Sequence, residues 1–184
     1  MKNPFIVGKK VYLRSFERSD LQGKYRAWLN DPDVIKFLAV GTYPQTEDGI
    51  LKYFESNINS DSQVFFAIID KESDIHIGNA RIYNIDRLNQ KAHRGIMIGD
   101  KSYWNAGYGR EVINLISAYA FETLNLRKLT STTVGNNAGI IKVNEDCGYS
   151  REGVLREEFY RNGKYHDVVY WGLLRSEYLP DTEV

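Results

Sequence analysis

The sequence predicts a mixed α/β fold with a mostly antiparallel central sheet, helices on both faces and a C-terminal β-hairpin. Three observations support this prediction. Strand-like and helix-like segments do not alternate strictly, which excludes a repeated βαβ unit. Three strand-like segments follow one another between residues 64 and 99, and strands joined by short turns pair antiparallel. The dipeptide Asn162-Gly163, the strongest hairpin signal in the chain, separates the last two strand-like segments.

The first third of the chain is predicted to form one strand followed by helices. Residues 11–14 alternate and predict the first strand. The Ser-Asp pair at 19–20 is a helix-start signal ahead of apolar residues at helical spacing. Pro32 suits the first position of a second, short helix, and Thr46 caps a third helix that runs to about residue 57.

The middle of the chain carries three predicted strands. The nearly unbroken apolar segment 64–69 predicts a central strand that is covered on both faces. A long strand is predicted over about 75–85, a turn over 87–90 and another strand over about 91–99. Gly95, inside the last of these strands, indicates a bulge or a close backbone approach.

The last third of the chain is predicted to contain a strand, a helix and the hairpin. Residues 128–134 are rich in Thr and alternate, which is typical of a strand. The pair Asn136-Asn137 can cap a helix that ends at Gly148, a residue type suited to the position after a helix. Residues 149–160 and 164–174 then predict the two strands of the hairpin.

A segment with two glycines joins the strand at 96–98 to the next helix. Gly99 breaks the strand, and Gly107 and Gly109 precede a helical pattern that begins at Arg110. Glycines let the backbone approach a phosphate closely, and the first N–H groups of a helix attract an anion. The segment fits neither common nucleotide-binding motif, because it lacks both a Lys-Ser/Thr pair and the Gly-x-Gly-x-x-Gly spacing. It predicts an anion site, with a glycine-packed strand-turn-helix unit as the alternative.

The segment 104–109, Trp-Asn-Ala-Gly-Tyr-Gly, resembles the pyrophosphate loop of the GNAT family of N-acetyltransferases, whose pattern is Gln/Arg-x-x-Gly-x-Gly/Ala. Trp104 stands where Gln or Arg is usual, and a Trp preceded by Tyr is similar to the branch of ribosomal-protein N-terminal acetyltransferases. A second region agrees with the family: Asn137, the pair 148–149 (Gly-Tyr) and the pair 152–153 (Glu-Gly) match family positions in the same order. The order of predicted elements also resembles this fold over nearly the full length.

The resemblance implies acetyl-CoA as the co-substrate. It implies two central strands that splay apart, so that their unpaired backbone groups can bind the amide-bearing pantetheine arm. The glycine loop would then bind the diphosphate. The residues assigned to coenzyme A in this way are Met97, Ile98, Gly99, Trp104, Asn105, Ala106, Gly107, Tyr108, Gly109, Arg110, Asn137 and Lys142. The alternative is that Lys142 lies on a solvent-exposed helix face and does not contact coenzyme A.

The resemblance further implies that an amine attacks the thioester directly, in a ternary complex. Backbone N–H groups near Met97 to Gly99 are expected to stabilise the oxyanion. Many relatives place a Glu base where this sequence has His93, and a neutral imidazole can act as a base at physiological pH. An ordinary surface histidine is the alternative interpretation of His93.

The general acid is harder to assign. Many relatives carry a Tyr in the helix before the Gly-aromatic pair, and the matching residue here is Asn144. Asn can hold a sulfur or a water by hydrogen bonding but cannot protonate the leaving thiolate. Asn144 with water is therefore one candidate, and Tyr149 or Tyr103 is the other.

The acceptor is predicted to be a primary amine. Its candidate contacts are aromatic residues of the first helices and the last hairpin, namely Trp28, Tyr43, Phe159 and Tyr160. A protein N-terminus or an amino sugar is favoured over a polyamine, because acidic residues of the first helices are balanced by lysines. The alternatives are a polyamine or other small amine, a non-catalytic acyl-CoA sensor of the same fold, and an unrelated α/β binding module.

Length and composition predict a single domain over residues 1–184. Lys plus Arg and Asp plus Glu each number 24, which gives no general attraction to nucleic acid or to an anionic membrane. The one cysteine, Cys147, excludes an internal disulfide and fits a reducing compartment. No signal peptide and no apolar segment of ~20 residues is found, so a cytoplasmic protein without a membrane partner is expected. No metal is expected, and the sequence is compatible with a homodimer.

Overall fold

The computed structural model describes residues 1–58 and 60–179. Within them the strands are β1 (Ile6–Val7), β2 (Val11–Ser15), β3 (Val64–Asp70), β4 (His76–Asp86), β5 (Lys91–Ile98), β6 (Lys128–Val134), β7 (Ser150–Arg161) and β8 (Lys164–Leu174). The α-helices are α1 (Tyr25–Leu29), α2 (Pro32–Ile35), α3 (Glu47–Ile58), α4 (Tyr108–Ala118) and α5 (Ala138–Asp146). The strands form one eight-stranded sheet in the order β1-β2-β3-β4-β5-β6-β8-β7. Neighbours in this described sheet pair antiparallel, apart from the parallel pair β5–β6.

The predicted fold class is confirmed, and most predicted strand boundaries agree with the structure to within one or two residues. Local capping explains the agreement among the helices. The Asp31 carboxylate accepts a hydrogen bond from the Asp33 N–H (2.9 Å) beside Pro32, and the Thr46 hydroxyl accepts one from Gly49 N–H (3.1 Å). At the hairpin turn, Asn162 and Gly163 both adopt positive φ angles, 52° and 78°, which a tight turn between twisted strands requires.

Three details differ from the sequence prediction. The predicted helix at 19–20 is a 3₁₀ turn over Arg18–Gln22, and α1 begins only after Gly23. The two-residue strand β1 has too short a pattern to be detected in the sequence. Gly95 does not form a bulge: it pairs with Arg81 in regular register, and a β-carbon there would lie 3.4 Å from the Arg81 Nε.

Apolar side chains cover both faces of the sheet. On one face α4 and α5 pack over a cluster that includes Leu13, Ile68, Ile82, Ile116 and Trp171. On the other face α1, α2 and α3 pack over Tyr12, Phe16, Tyr25, Trp28 and Ile69. The predicted helices on both faces are therefore present, and the cofactor and acceptor regions described below lie where these layers meet the ends of β5 and β6.

The central strands β5 and β6 splay apart. They pair only at their first three residues, where residues 91–93 face residues 128–130. Beyond this point β6 continues to pair with β8 up to Val134, while β5 continues along β4 up to Ile98. A wedge-shaped gap with unpaired backbone groups on the β5 side results, as the family resemblance implied.

Gly99, at the end of β5, is packed against the indole of Trp28. A β-carbon at residue 99 would overlap the Trp28 ring, whereas a β-carbon at Gly153 would meet nothing within 4 Å. Replacing Gly99 with Ala is therefore expected to lower the free energy of unfolding by about 1–3 kcal/mol, because a rigid buried ring must move. Urea denaturation checks this, with Gly153→Ala as the matched control. Equal midpoints for the two variants would contradict the packing described here.

No helix within the described part of the chain is both long and apolar enough to cross a membrane.

Candidate active site

A cleft of about 450 Å³ opens in the gap beyond the β5–β6 pair, between the end of β5, the glycine loop and the start of α5. Eight of the residues predicted to contact coenzyme A line it: Met97, Ile98, Trp104, Asn105, Gly107, Gly109, Arg110 and Asn137. Segments that are far apart in the sequence thus meet at one cleft. We refer to it as the cofactor cleft.

The glycine loop supplies an anion site at one end of the cofactor cleft. Gly107 precedes α4 with a φ of +84°, a conformation that favours glycine. The Glu111 N–H makes the first bond of the helix, to the Gly107 carbonyl at 3.1 Å. The N–H groups of residues 108–110 therefore have no partner within the helix. A β-carbon at Gly109 would meet nothing within 4 Å, so this loop has open space in front of its amides, as a diphosphate requires.

Contacts from distant strands hold the loop in place. The Lys10 Nζ donates to the Ala106 carbonyl at 2.8 Å, and Glu111 Oε1 accepts from the Lys10 backbone N–H at 2.9 Å. The Tyr108 hydroxyl donates to Asp70 at 2.9 Å, and burial together with this carboxylate raises the pKa of Tyr108 to about 12. Ala106 and Tyr108 thus fix the loop without lining the cleft. Sequence analysis missed Lys10, because it lies about a hundred residues away and carries no motif.

Alternate residues of β5 turn their backbone N–H and C=O groups toward the cleft. The Gly99 N–H donates to the Ile77 carbonyl of the β4 side at 2.9 Å. The antiparallel register therefore turns the amides of Met97 and Gly99 toward β4 and those of Ile96 and Ile98 toward the cleft. The Ile98 carbonyl is already bonded to the indole N–H of Trp104 at 2.7 Å. Of the N–H groups near Met97 to Gly99 that were expected to stabilise the oxyanion, the one that points toward the cleft is therefore that of Ile98. The N–H of Ile96 points toward the cleft as well.

Two further residues assigned to coenzyme A lie outside the lining of the cleft. Gly99 is buried against Trp28, as described above. Lys142 points from the exposed face of α5 and pairs with Asp146 at 3.2 Å, one helical turn away. A role for either residue in coenzyme A binding stays a prediction.

A second cavity, of about 330 Å³, lies on the opposite side of β5 under α1 and α3. We refer to it as the acceptor cavity. Its lining includes Tyr25, Gln45, Tyr53, Asn79, Arg81 and Gly95. Three residues, Leu38, Ile96 and Met97, line both this cavity and the cofactor cleft. The two cavities therefore adjoin each other at these three residues, two of which belong to β5.

The polar groups of the acceptor cavity are neutral or cationic. Arg81 donates to the Tyr53 hydroxyl at 2.7 Å and lies 4.1 Å from the centre of the Tyr83 ring. Asn79 donates its amide to the Phe66 carbonyl at 3.2 Å, which leaves its buried Oδ1 without a hydrogen-bond partner in the described structure. Burial raises the pKa of Tyr25, so its hydroxyl stays protonated at neutral pH. Among the described lining residues there is no Asp, Glu or His.

The four residues predicted to bind the acceptor are not brought together. Trp28 is buried beneath Gly99, and Tyr43 is 76% exposed. The Tyr160 ring is tilted against the Tyr165 ring, with 4.9 Å between their centres, and Phe159 lines a separate pocket on the opposite face of the hairpin. None of the four lines the acceptor cavity, so their role in acceptor binding stays a prediction.

Five polar residues that line the acceptor cavity were not predicted from the sequence as site residues: Tyr25, Gln45, Tyr53, Asn79 and Arg81. A signal existed for the last two. They occupy alternate positions of β4 and so share one face, whereas Ala80 and Ile82, which alternate with them, are apolar and buried. Polar residues on a face that is otherwise buried usually mark a hydrogen-bonded network or a binding site.

His93 is held by hydrogen bonds to protein groups at both ring nitrogens. Its Nδ1 contacts the Thr130 hydroxyl, and its Nε2 lies 2.8 Å from the Tyr170 hydroxyl. Burial is the main reason that the pKa of His93 is lowered, with Lys91 and Arg81 as further causes. The side chain lines neither cavity, although His93 and Gly95 lie on the same face of β5. Its predicted role as the base stays a prediction.

The free energy of unfolding is expected to fall as the pH decreases from 7 to 5. The pKa of His93, and also that of the partly buried His76, lies below its ordinary value of ~6.5. The unfolded chain therefore binds more protons just below pH 6.5, and stability present above this pH is lost as the pH falls. Denaturation at pH 7 and pH 5 measures the slope, which should be smaller in His93→Gln. An unchanged slope in that variant would contradict a lowered pKa of His93 in the folded protein.

Asn144 lies in the core instead of the cleft. Its side chain is fully buried, where Oδ1 accepts from the Arg94 guanidinium and Nδ2 donates to the Thr133 hydroxyl at 3.2 Å. Arg94 is itself 2% exposed and lies 4.3 Å from the centre of the Tyr149 ring. Asn144 therefore provides a hydrogen-bond acceptor for the buried Arg94 guanidinium. Its catalytic role stays a prediction.

The two alternative acids also differ in position. The Tyr149 hydroxyl is buried at 3.0 Å from the Ser117 hydroxyl and does not line the cleft. Tyr103 does line the cleft, packing edge-on against Tyr108 at 5.0 Å between ring centres. Of the two, only Tyr103 lies where it could contact a ligand in the cleft.

Comparisons with known proteins agree with this arrangement. Residues 10–150 match the acetyltransferase (GNAT) domain family. A spermidine N(1)-acetyltransferase of Vibrio cholerae is 27% identical over 96% of this chain and 100% of its own length. A putative ribosomal N-acetyltransferase of Bacillus subtilis is 33% identical over 55% of each chain. The crystal structure of a Vibrio cholerae spermidine N-acetyltransferase in complex with CoA and spermine superposes with a TM-score of 0.84, at 27% identity, over 92% of this chain and 98% of its own.

The chain belongs to the GNAT acetyltransferase family, to which the glycine loop and the splayed strands pointed. Within that class it is an acetyl-CoA-dependent N-acetyltransferase.

Proposed function

We propose that the acetyl group passes directly from acetyl-CoA in the cofactor cleft to a primary amine in the acceptor cavity. The observation that carries this proposal is the meeting of the two cavities at Leu38, Ile96 and Met97. The described linings of both cavities contain no Cys, Ser or Thr that could carry the acetyl group as a hydroxyl or thiol ester. Direct attack therefore fits the site better than transfer through an acetylated enzyme.

The N–H groups that β5 turns toward the cleft would serve the reacting carbonyl. Ile98 and Ile96 present their amides where the ladder to β6 is missing. A preorganised donor of this kind typically contributes ~3 kcal/mol of transition-state stabilisation, because charge develops on the carbonyl oxygen only during the reaction. These donors belong to the backbone, so no side chain needs to supply them.

The surroundings of the acceptor cavity favour a neutral, reactive amine. Its walls are largely apolar, and the Arg81 guanidinium is the charged group among its described lining residues. An apolar wall and a nearby cation both disfavour the ammonium form, so the pKa of a bound amine should be lowered. The amine can then lose its proton to water, with no need for a carboxylate base.

The chemical class of the acceptor amine is less well defined than the type of reaction. The comparisons favour a polyamine over the protein N-terminus or amino sugar that the sequence favoured, because spermidine acetyltransferases match over at least 92% of the chain. A polyamine is therefore the first candidate. The charges of this chain support a second candidate, an amine that carries an anionic group: Arg81 lines the acceptor cavity, and its described lining holds no carboxylate to receive further ammonium groups.

A panel of amines assayed for thiol release from acetyl-CoA tests the proposal. The panel contains spermidine, an amino sugar, an amino sugar phosphate and a short peptide with a free N-terminus. At least one amine is expected to raise thiol release well above the rate of hydrolysis, with mass spectrometry identifying the acetylated product. A polyamine acceptor predicts a KM for spermidine that rises steeply with salt. If no amine of the panel raises the rate, the proposed direct transfer to an amine in the acceptor cavity is contradicted.

A further inference from the structure

A pocket of about 250 Å³ lies under the C-terminal hairpin, next to the segment that follows α2. Its lining includes Lys36, Arg161, Lys164 and His166, with the aromatic rings of Phe37 and Phe159. No carboxylate is among its lining residues within the described structure. We refer to it as the hairpin pocket. The volume is below the ~300–1,000 Å³ typical of a complete small-molecule site, so it suits one charged group of a larger ligand.

The strand register of the hairpin concentrates positive charge on the pocket side. Phe159 pairs with His166, and Arg161 pairs with Lys164, so these four side chains share one face. Asp167, one position from His166, belongs to the other face. The tip of the hairpin therefore places Arg161, Lys164 and His166 on one face.

Positively charged side chains lie close together around the pocket. Arg161 and Lys164 are directly opposite each other, and like charges in such a cross-strand pair are destabilising. Lys36 and Lys164 form no ion pair with the residues described, and Lys36 only stacks over Phe37, at 5.1 Å from the ring centre. A bound anion would remove the unfavourable interaction between these cations.

The hairpin pocket is connected to the reaction site. The Arg161 guanidinium donates to the Leu38 carbonyl at 2.6 Å, and Leu38 lines both the acceptor cavity and the cofactor cleft. Lys36 and Phe37 line both the hairpin pocket and the cofactor cleft. A ligand anchored by an anionic group in the hairpin pocket can therefore extend toward the point where the two cavities meet.

We propose that the hairpin pocket binds a phosphate or diphosphate group of the acceptor, so that the substrate is an amine joined to a phosphate, such as an aminated sugar phosphate or sugar nucleotide. This inference rests on the proposed acetyl transfer and selects among its acceptors. The phenylalanine rings would pack on the sugar or base, while the cations bind the phosphate oxygens. A polyamine would instead meet two sets of cations, here and at Arg81.

Calorimetric titration with inorganic pyrophosphate tests the pocket itself. The protein is first saturated with coenzyme A, so that the glycine loop is filled and cannot account for binding. Pyrophosphate is expected to bind the wild type, with an affinity at least tenfold lower in Lys164→Glu and unchanged in Lys52→Glu, an exposed lysine of α3 outside all three cavities. Absence of binding, binding only without coenzyme A, or equal affinity in Lys164→Glu would each overturn the proposal.

Steady-state kinetics then tests whether the anion belongs to the acceptor. An amino sugar and its phosphate are compared, and the KM of the phosphate is expected to rise at least tenfold in Lys164→Glu while the KM of the phosphate-free sugar does not change. Equal effects on both amines would show that the pocket does not bind the acceptor. Transfer to spermidine alone, without pyrophosphate binding, would overturn this inference and leave the acetyl transfer standing. Failure of every amine would instead contradict the proposed function.

Discussion

Replacing Asn144 with Ala is expected to lower the free energy of unfolding by about 3 kcal/mol. The substitution leaves the buried Arg94 guanidinium without the Asn144 oxygen, and a buried charge that loses its partner carries a large desolvation penalty. For a chain of this length the midpoint of thermal unfolding should fall by roughly 6–12 °C. Affinity for acetyl-CoA should stay close to the wild type, because Asn144 does not line the cofactor cleft.

A double variant tests whether the unpaired charge of Arg94 causes the loss of stability. Adding Arg94→Met to an Asn144→Leu variant removes the charge together with its partner, and similar cases are often neutral or stabilising relative to the broken pair. The double variant should therefore recover most of the lost stability. The opposite pattern, with normal stability and a large loss of kcat in Asn144→Ala, would return Asn144 to the catalytic role predicted from the sequence.

Replacing Gly109 with Asp is expected to weaken acetyl-CoA binding by about 30- to 100-fold, or ~2–3 kcal/mol. The carboxylate would stand in the open space before the first amides of α4, where the diphosphate is expected, and like charges repel strongly at such distances. Gly109→Ala isolates the effect of charge. Because the β-carbon alone meets nothing within 4 Å, this variant should bind within a few-fold of the wild type.

Calorimetry with acetyl-CoA measures both changes. Gly153→Asp is the control for the added charge, since Gly153 is equally open but lies on β7 and outside the cleft. Unaltered affinity in Gly109→Asp would mean that the diphosphate binds elsewhere, and the assignment of the glycine loop would then be wrong.

Features set by neighbouring residues were predictable from the sequence. Thr46 and Asn137 cap helices as expected, and Asn162-Gly163 turns the hairpin, because each of these interactions spans only a few residues. The glycine loop was also predictable, since its conformation depends on where Gly107 stands relative to the helix start. The resemblance to a family then added the splayed strands, which no local pattern encodes.

Features that depend on distant residues were not predictable in the same way. The family resemblance predicts a catalytic role for Asn144, yet the environment of this side chain is decided by Arg94, fifty residues away in the sequence. Trp28 carries an aromatic ring suitable for a substrate, but Gly99 makes room for that ring in the core. The charge of the hairpin pocket arises from strand register, which a composition with balanced charges conceals. A single domain over 1–184 and a homodimer both stay predictions.

The central claim is that cofactor and acceptor meet on β5 and react in one ternary complex. Initial rates of thiol release, measured over a matrix of acetyl-CoA and amine concentrations with the best amine of the panel, test it most directly. Direct transfer predicts reciprocal plots that intersect, and no acetylated enzyme in mass spectra taken without the amine. Parallel plots together with an acetylated enzyme would show that a protein group carries the acetyl group, and this account of the site would be contradicted.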